Sequence, residues 1–453
     1  MKRARTHDSR HQAGRQRGVA ILMVVACLAV LMPFTATFSY NSRVDFQSAV
    51  NLRDEVVARN LQRGALRLSL LLFELQRMVF SQKQFREMVG SMDITQVAPY
   101  LMSIFGSKDG SQAIGGVASM FGLDGFDASV LGNLAAEYGS FEVRLEAESG
   151  KVNVNCLAKS DEDQARVVET LEAMLLPTLY DPLFEEEKAD GQRYTRADVI
   201  KALVDYVDED QKNFDMVKLT SGSTQERYRY TELFDPYAAR DARLDSVEEV
   251  QLAEGWDDDL MLAIGGDLTV YGSCKVNVNF ASADQIALLI RNSVAAEDKW
   301  RVEGENFLLK VMPLARYVVE WRTFALFKGL EDFQKFVEKP DQFVSPLAML
   351  GSLGGGSSGS TQRNPNLPRI PEGIKLETGG GKGGGQPAKD TKDDAEKKLG
   401  LKDLANTDPE RIYRVEIITE VGQVRRRLNA VYDMQYARSQ SKGTGAWLFY
   451  RED

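Results

Sequence analysis

Hydrophobic and polar positions divide the chain into an apolar start, an amphipathic continuation and a mixed remainder. No charged residue occurs from Val19 to Asn41, about the 20 residues that a helix needs to cross a bilayer's hydrocarbon core. From Asn41 to about Met88, Leu52, Val56, Leu61, Ala65, Leu68, Leu72, Leu75 and Val79 recur at three- and four-residue spacing, with Arg53, Arg59, Arg63 and Arg67 on other faces. That periodicity is helical. The two stretches predict one long helix with Pro33 as a kink. Further on, Phe141 to Glu148 alternates as F-E-V-R-L-E-A-E, the pattern of a half-buried strand. Arg411 to Thr419, Val424 to Asp433 and Ala446 to Tyr450 read as three more, the first two joined by a tight Val421-Gly422-Gln423 turn. The expected architecture is α+β: a long N-terminal helix packed on an antiparallel sheet, with a large, mainly helical insertion.

The insertion is framed by a repeated pentapeptide. Lys151-Val152-Asn153-Val154-Asn155 returns as Lys275-Val276-Asn277-Val278-Asn279, and each copy is followed by a helix start, at Ser160 and Ser282. The two copies are expected to pair as strands at the neck of an inserted domain, 156–274, whose helical stretches are Gln164 to Leu176, Thr195 to Val207, Thr231 to Phe234, Ser246 to Glu254 and Asp257 to Ile264. The divisions implied are 1–18 leader, 19–40 apolar helix, 41–90 amphipathic helix, 91–140 a Gly- and Met-rich subdomain and 141–155 a sheet strand. After the insert come 275–350, returning to the sheet domain, 351–409, a Gly/Ser/Pro/Lys-rich flexible linker, and 410–453, the C-terminal strands.

Charge narrows the function. The net charge is -10. Lys2, Arg3, Arg5, Arg10, Arg15 and Arg17 stand against Asp8 before the apolar run, so the leader is basic and the rest more acidic than the whole. Basic flanks stay in the cytoplasm, which orients the C-terminal portion to the far side of the membrane. An acidic ectodomain repels phosphate backbones. The stretch Leu244 to Met261 has the helix–Gly turn–helix outline of a DNA-binding hairpin, but carries Glu254, Asp257, Asp258 and Asp259 where phosphate would sit, so nucleic acid is not an expected partner. Both histidines, His7 and His11, lie in the leader, which removes Ser-His-Asp and Cys-His catalysis and His-ligated zinc from the remainder. No catalytic residue is singled out, and an enzyme is not expected.

The candidate metal ligands are Asp205, Asp208 and Asp210, with Asp215 nearby. Carboxylates within one turn and loop supply the oxygen ligands calcium prefers, although the run lacks the mid-loop glycine of an EF-hand. The bland alternative is a solvated acidic helix end. Cys156 and Cys274 lie beside the two pentapeptides, in a compartment that permits disulfides if it is periplasmic. Bonding needs Cα atoms within about 7 Å, which only some strand registers supply.

The basic leader ending in Gly18, an apolar run after it that lacks the usual Glu, S-G-K-V-N-V-N after a strand, A-L-V-D-Y-V-D-E-D from Ala202, D-S-V-E-E-V from Asp245, and L-T-V-Y-G from Leu268 leading to the second K-V-N-V-N occur in that order. Together they resemble the K-type minor pseudopilins of type II (general) secretion pathways, over Gly18 to about Ile290. The resemblance implies a pilin-like fold, cleavage between Gly18 and Val19 by a prepilin peptidase with methylation of the new N-terminus, and a single-pass subunit of the bacterial inner membrane with a periplasmic C-terminal domain. It implies I- and J-type minor pseudopilins and the inner-membrane secretion platform as partners, contact with exported proteins, a calcium-stabilised insert and a place at the tip of a short pseudopilus. Most pilin-like subunits carry Glu at the fifth mature position, to meet a neighbour's N-terminal amine. Here that position is Met23, which fits a tip subunit and equally a plain membrane anchor. A minor pilin or binding protein of a type IV pilus-like system is the alternative.

Gly18→Ala is expected to slow processing by a prepilin peptidase, read as accumulation of the uncleaved form on gels. Equal processing of both forms would count against a prepilin leader.

Overall fold

A computed structural model describes residues 10–81, 139–343 (apart from 189–190, 227, 233–234, 296 and 324), 370–379, 399–434 and 445–453. Helix α1 (Arg10–Ser81) is one continuous element through Pro33. Pro33 has no N–H to give to the preceding turn. The Thr35 hydroxyl donates to the carbonyls of Leu31 and Met32, and that of Thr37 to Pro33, around the interrupted ladder. Strand β1 (Ser140–Ala147) follows, and the sheet is completed by the three C-terminal strands described below.

Within the long excursion between them come β2 (Val152–Asn153), α2 (Asp161–Leu175), α3 (Asp181–Glu185), α4 (Arg196–Val207), β3 (Lys212–Asp215), β4 (Thr220–Gln225), α5 (Asp258–Ile264) and β5 (Leu268–Thr269). A second series follows: β6 (Val276–Asn277), α6 (Ala283–Ser293), α7 (Gly304–Arg322), α8 (Leu330–Glu338), α9 (Leu401–Leu404) and β7 (Ala405–Asn406). The chain then re-enters the sheet as β8 (Ile412–Val421), β9 (Val424–Asp433) and β10 (Ala446–Glu452), antiparallel in the order β1-β8-β9-β10. The fold is α+β, with the pilin-like layout of a long helix on an antiparallel sheet.

Ala58, Leu61, Ala65, Leu68, Leu72 and Phe73 of α1 are buried against this sheet, whereas Leu52 and Val56, on the same predicted stripe, are exposed. The Phe73 ring stacks on Tyr413 and Tyr432, centroids 5.0 and 5.6 Å away. The Gln76 side-chain amide donates to the Tyr413 hydroxyl at 2.9 Å. At the other end of β8, the two-residue β8–β9 loop begins with Gly422, whose φ of 59° favours glycine. A side chain there would run into Asp54. Tyr413 therefore lies beside the C-terminal part of α1, and Gly422 beside a residue 22 positions earlier, about 33 Å down the helix at 1.5 Å per residue.

The repeated pentapeptides do not pair with each other. Instead β2 pairs in parallel with β5 (Val152↔Leu268), and β6 pairs in parallel with β7 (Val276↔Ala405). Each copy opens its own unit and makes the same bonds. The third-position asparagines, Asn153 and Asn277, accept the N–H of Asn155 and Asn279, both at 3.0 Å. Asn155 then exchanges two bonds with the backbone of Leu244 (2.9 and 2.7 Å), and Asn279 does the same with Phe327 (3.0 and 2.8 Å). Ser160 and Ser282 cap the helices that follow, α2 and α6. The pattern was legible as a repeat, and its meaning is two tandem units rather than two strands paired at one neck. A two-residue strand cannot hold a sheet by itself, and the buried amides add ties from each pentapeptide to a distant loop, at Leu244 and at Phe327.

The insert consequently outruns the expected 156–274. The chain leaves the sheet after Ala147 and returns at Ile412, and one hydrophobic core runs from Val152 through Ile290, Val318 and Phe336 to Ala405. The stretches near Phe307 and Phe333, irregular in sequence because Pro313 and clustered aromatics blur the period, are helices α7 and α8. Within the expected linker, Ile370, Ile374, Leu376, Leu399 and Leu401 are buried in that core, and Leu376 bridges to Val294. The expected 91–140 subdomain lies outside the described residues up to 138, as does most of the Gly-rich linker.

Two buried carboxylates hold the insert to the sheet. Glu148, fully buried, accepts from Arg414 Nε at 2.6 Å and from the Thr269 hydroxyl. Glu410 accepts the backbone N–H groups of Arg411 and Ile412, both at 2.8 Å, and Ser149 through its N–H (3.2 Å) and hydroxyl. Next to them Gly150 lies against the backbone of Phe280 and Ala281, so closely that a Cβ has no room. Arg414→Ala would strand a fully buried carboxylate, at a cost of about 3–5 kcal/mol. A correspondingly lower urea midpoint is expected, with partial recovery in Glu148→Leu/Arg414→Met. An unchanged midpoint for Arg414→Ala would show that the Arg414–Glu148 pair does not hold the neck.

Candidate functional site

The acidic run forms at the end of α4. A capping box begins this helix, with Thr195 and Asp198 bonding to each other's backbone N–H groups, and Asp208 ends it, its N–H donating to the Val204 carbonyl at 2.9 Å. A helix C-terminus carries partial negative charge, so a carboxylate there is favourable only beside a cation. The β3–β4 hairpin folds back over this end, with Phe214 opposite Ser221 and Asp215 opposite Thr220. It delivers Glu226 to the helix terminus. Oxygens of Asp208, Asp210 and Glu226 all lie within 4.8 Å of one another.

Three carboxylate oxygens in this neighbourhood are buried without a hydrogen-bond partner: Asp208 Oδ1, Glu226 Oε1 and Asp241 Oδ1. Asp208 is 6% exposed, and its other oxygen accepts from the Gln164 amide at 3.2 Å. Asp210 accepts the Lys212 N–H at 2.7 Å and the Ser221 hydroxyl at 2.5 Å. Burial pushes the Asp208 carboxyl up to about 7, and the charges of Asp210 and Asp205 push the same way. Glu226 is pushed up to about 8 by burial and by Asp205, Asp208 and Asp241. Burial also raises Asp241.

An all-oxygen set of this kind suits a hard divalent cation. Two oxygens bound to one calcium at about 2.3–2.6 Å cannot lie more than about 5 Å apart, and the observed spacing meets that limit. The orphaned oxygens of Asp208 and Glu226 are the donors it would use.

Of the three expected ligands, Asp208 and Asp210 are brought together and Asp205 is not free to join them. Asp205 is fully buried and accepts the Phe214 N–H at 2.8 Å and the Tyr228 hydroxyl at 2.6 Å. Burial pushes its carboxyl up, and these two bonds oppose the shift. It pins the hairpin onto α4. Asp215 turns away to cap the β3–β4 loop, accepting from the N–H groups of Val217 and Lys218, which lower its pKa. Glu226 was missed because it lies outside the local acidic run. The hint was the polar, Ser/Thr-rich alternation of Lys212 to Gln225, which reads as a hairpin able to return the chain to Asp210.

The apolar half of α1 is bare. Its most apolar window has a mean hydropathy of 2.6 with no part buried, long and apolar enough to cross a membrane. Val19 and Met23 are 55% and 67% exposed, and Gly18 has open space around it.

No protein-family model matches the chain, and no curated protein matches it. Among solved structures it is similar to a chain of the crystal structure of the GspK-GspI-GspJ complex from the enterotoxigenic Escherichia coli Type 2 Secretion System. Identity is 11% and the TM-score 0.36, over 70% of this chain and 80% of that one.

The raised pKa values give a signed expectation. Acids whose folded pKa exceeds the unfolded value favour folding while protonated, below about pH 4. That contribution is lost as pH rises through about 7 and 8. In chelator the insert should therefore lose stability between pH 5 and 8.5, followed by thermal unfolding, and calcium should flatten the slope. Asp208→Asn should flatten it without calcium. A slope indifferent to both would mean that these carboxylates are already neutralised by protein groups.

Proposed function

We propose that the chain is a minor pseudopilin of the K type, placed at the tip of a type II secretion pseudopilus, where it starts assembly and takes no enzymatic part. In this reading Gly18–Val19 is the processing site and the apolar half of α1 spans the inner membrane before assembly. The tandem insert lies in the periplasm, and Asp208, Asp210 and Glu226 hold calcium there. I- and J-type minor pseudopilins are its partners, together with the secretion platform and the proteins being exported.

One observation carries the proposal: where the insert leaves the sheet. Both of its connections, after Ala147 and before Ile412, are at the Tyr413 end of β8, beside Phe73 and Gln76 of α1. That is the end farthest from the apolar segment. In any filament with its apolar helix ends stacked along one axis, more than 200 described residues of the insert would stand where the next subunit's sheet belongs. Met23 is compatible with the same reading, as it is with a plain membrane anchor. It offers no carboxylate for a neighbour's N-terminal amine, and an unpaired ionised carboxylate in an apolar core is costly, so an apolar residue suits a subunit with nothing ahead of it.

Co-expression with I- and J-type minor pseudopilins is expected to yield a defined complex, while the chain alone forms no fibres. Fibres of the chain alone in electron micrographs would falsify the tip reading. Failure to bind these partners, with normal cleavage at Gly18, would favour a subunit of another pilus-like system.

A further inference from the structure

The disulfide between Cys156 and Cys274, Cα atoms 5.6 Å apart, ties the residue after the first pentapeptide to the residue before the second. It therefore joins the two tandem units where both begin. Its sulfurs are in different surroundings. Cys156 is fully buried in the insert core, whereas Cys274 is half-buried at its edge. The ammonium of Lys159 lies 3.1 Å from Cys274 Sγ and 3.6 Å from Cys156 Sγ. Lys159 is itself exposed and follows the turn Val154–Ala158, its N–H bonded to the Cys156 carbonyl at 3.2 Å. The turn that buries Cys156 thus also delivers a cation to the sulfur pair.

We propose that this pair is a thiol–disulfide exchange site, with Cys274 the sulfur that meets an external dithiol or disulfide protein, Lys159 its activating cation and Cys156 the resolving thiol. A cation beside a cysteine favours the thiolate, which is the reactive form. In closing, the Cys274 thiolate attacks one sulfur of the partner's disulfide. The partner's other sulfur leaves as a thiolate, and a mixed disulfide remains on Cys274. The Cys156 thiolate then attacks Cys274 Sγ and expels the partner's second thiolate. The pair is oxidised by two electrons and the partner reduced to its dithiol. Opening is the reverse: a thiolate of the partner's dithiol attacks Cys274 Sγ, Cys156 leaves as thiolate beside Lys159, and the partner's second thiol displaces Cys274. Burial of Cys156 excludes the alternative order, because an incoming protein cannot reach it along the axis that displacement at sulfur requires.

The probes are reduced and oxidised glutathione, applied to the full chain in detergent micelles. Peptide mapping after acid quench separates adducts on Cys274 and Cys156 from any on Cys27 of the apolar segment. Reduced glutathione should leave its adduct on Cys274. Lys159→Gln should slow opening about threefold, because without the cation the departing Cys156 thiol has a higher pKa and leaves more slowly. Lys159→Arg should keep the wild-type rate. In Cys156→Ser, Cys274 should capture glutathione from its oxidised form, again about threefold more slowly with Lys159→Gln. Adducts on Cys156, or equal rates for Lys159→Gln and wild type, would overturn the proposal. The opening experiment uses the intact disulfide, so it decides the matter even where Cys156→Ser does not fold. Both readouts are independent of assembly, so they fail separately from the tip reading.

Discussion

The arrangement depends on a pair of buried glutamates at the neck of the insert. Glu148 and Glu410 stand where the chain leaves the sheet and where it comes back. Ionised carboxylates are costly to bury unless donors surround them. Here Arg414, Thr269, Ser149 and two backbone N–H groups do so. These donors come from both sides of the junction: Arg414 from β8 of the sheet, Thr269 from the closing strand of the first unit. The insert is therefore clamped at its neck and does not hang from a pair of loose strands. A bulky domain on a loose tether could swing aside from the end of a filament. A clamped one obstructs it.

Inside the insert, the same economy appears twice. Two short parallel strand pairs, each only two residues long, would be marginal by their ladders alone. The asparagines of each pentapeptide make up the difference by bonding distant backbone groups. Buried amides are specific as well as stabilising, since a shifted loop would leave them unpaired. At the end of α4 the opposite holds. Several carboxylates converge there with buried oxygens left over, at a place where hairpin and helix must stay together. Stability of the hairpin and occupancy by a cation are thus one question.

Much of this was legible in the chain. The uninterrupted apolar run and the three- to four-residue period gave α1, and strict alternation gave β1, β8 and β9 within a residue or two. Those signals are local. What failed was non-local. The partner strands of the pentapeptides lie more than a hundred residues away, and β5 and β7 are too short to show alternation. The insert's far boundary was hidden because Gly-rich sequence near 351–400 suggests a linker, while the isolated Ile370, Ile374 and Leu376 within the expected boundaries are core residues. The acidic site was half legible. Asp208 and Asp210 share a run, but Glu226 joins them only through a hairpin, and Asp205 was indistinguishable by sequence from a ligand until its hydrogen bonds to Phe214 and Tyr228 were seen.

The insert joins the sheet at the end remote from the apolar segment of α1, and on the proposed reading a subunit so built would have filament neighbours on one side only. The most direct test of that reading is the position of the insert on assembled pseudopili. Gold-labelled antibody against the residues of the second unit, applied to sheared filaments and viewed by electron microscopy, should mark one end of each filament and leave the shaft bare. Labels distributed along the shaft would contradict the account, because the subunit would then be stacking above and below itself.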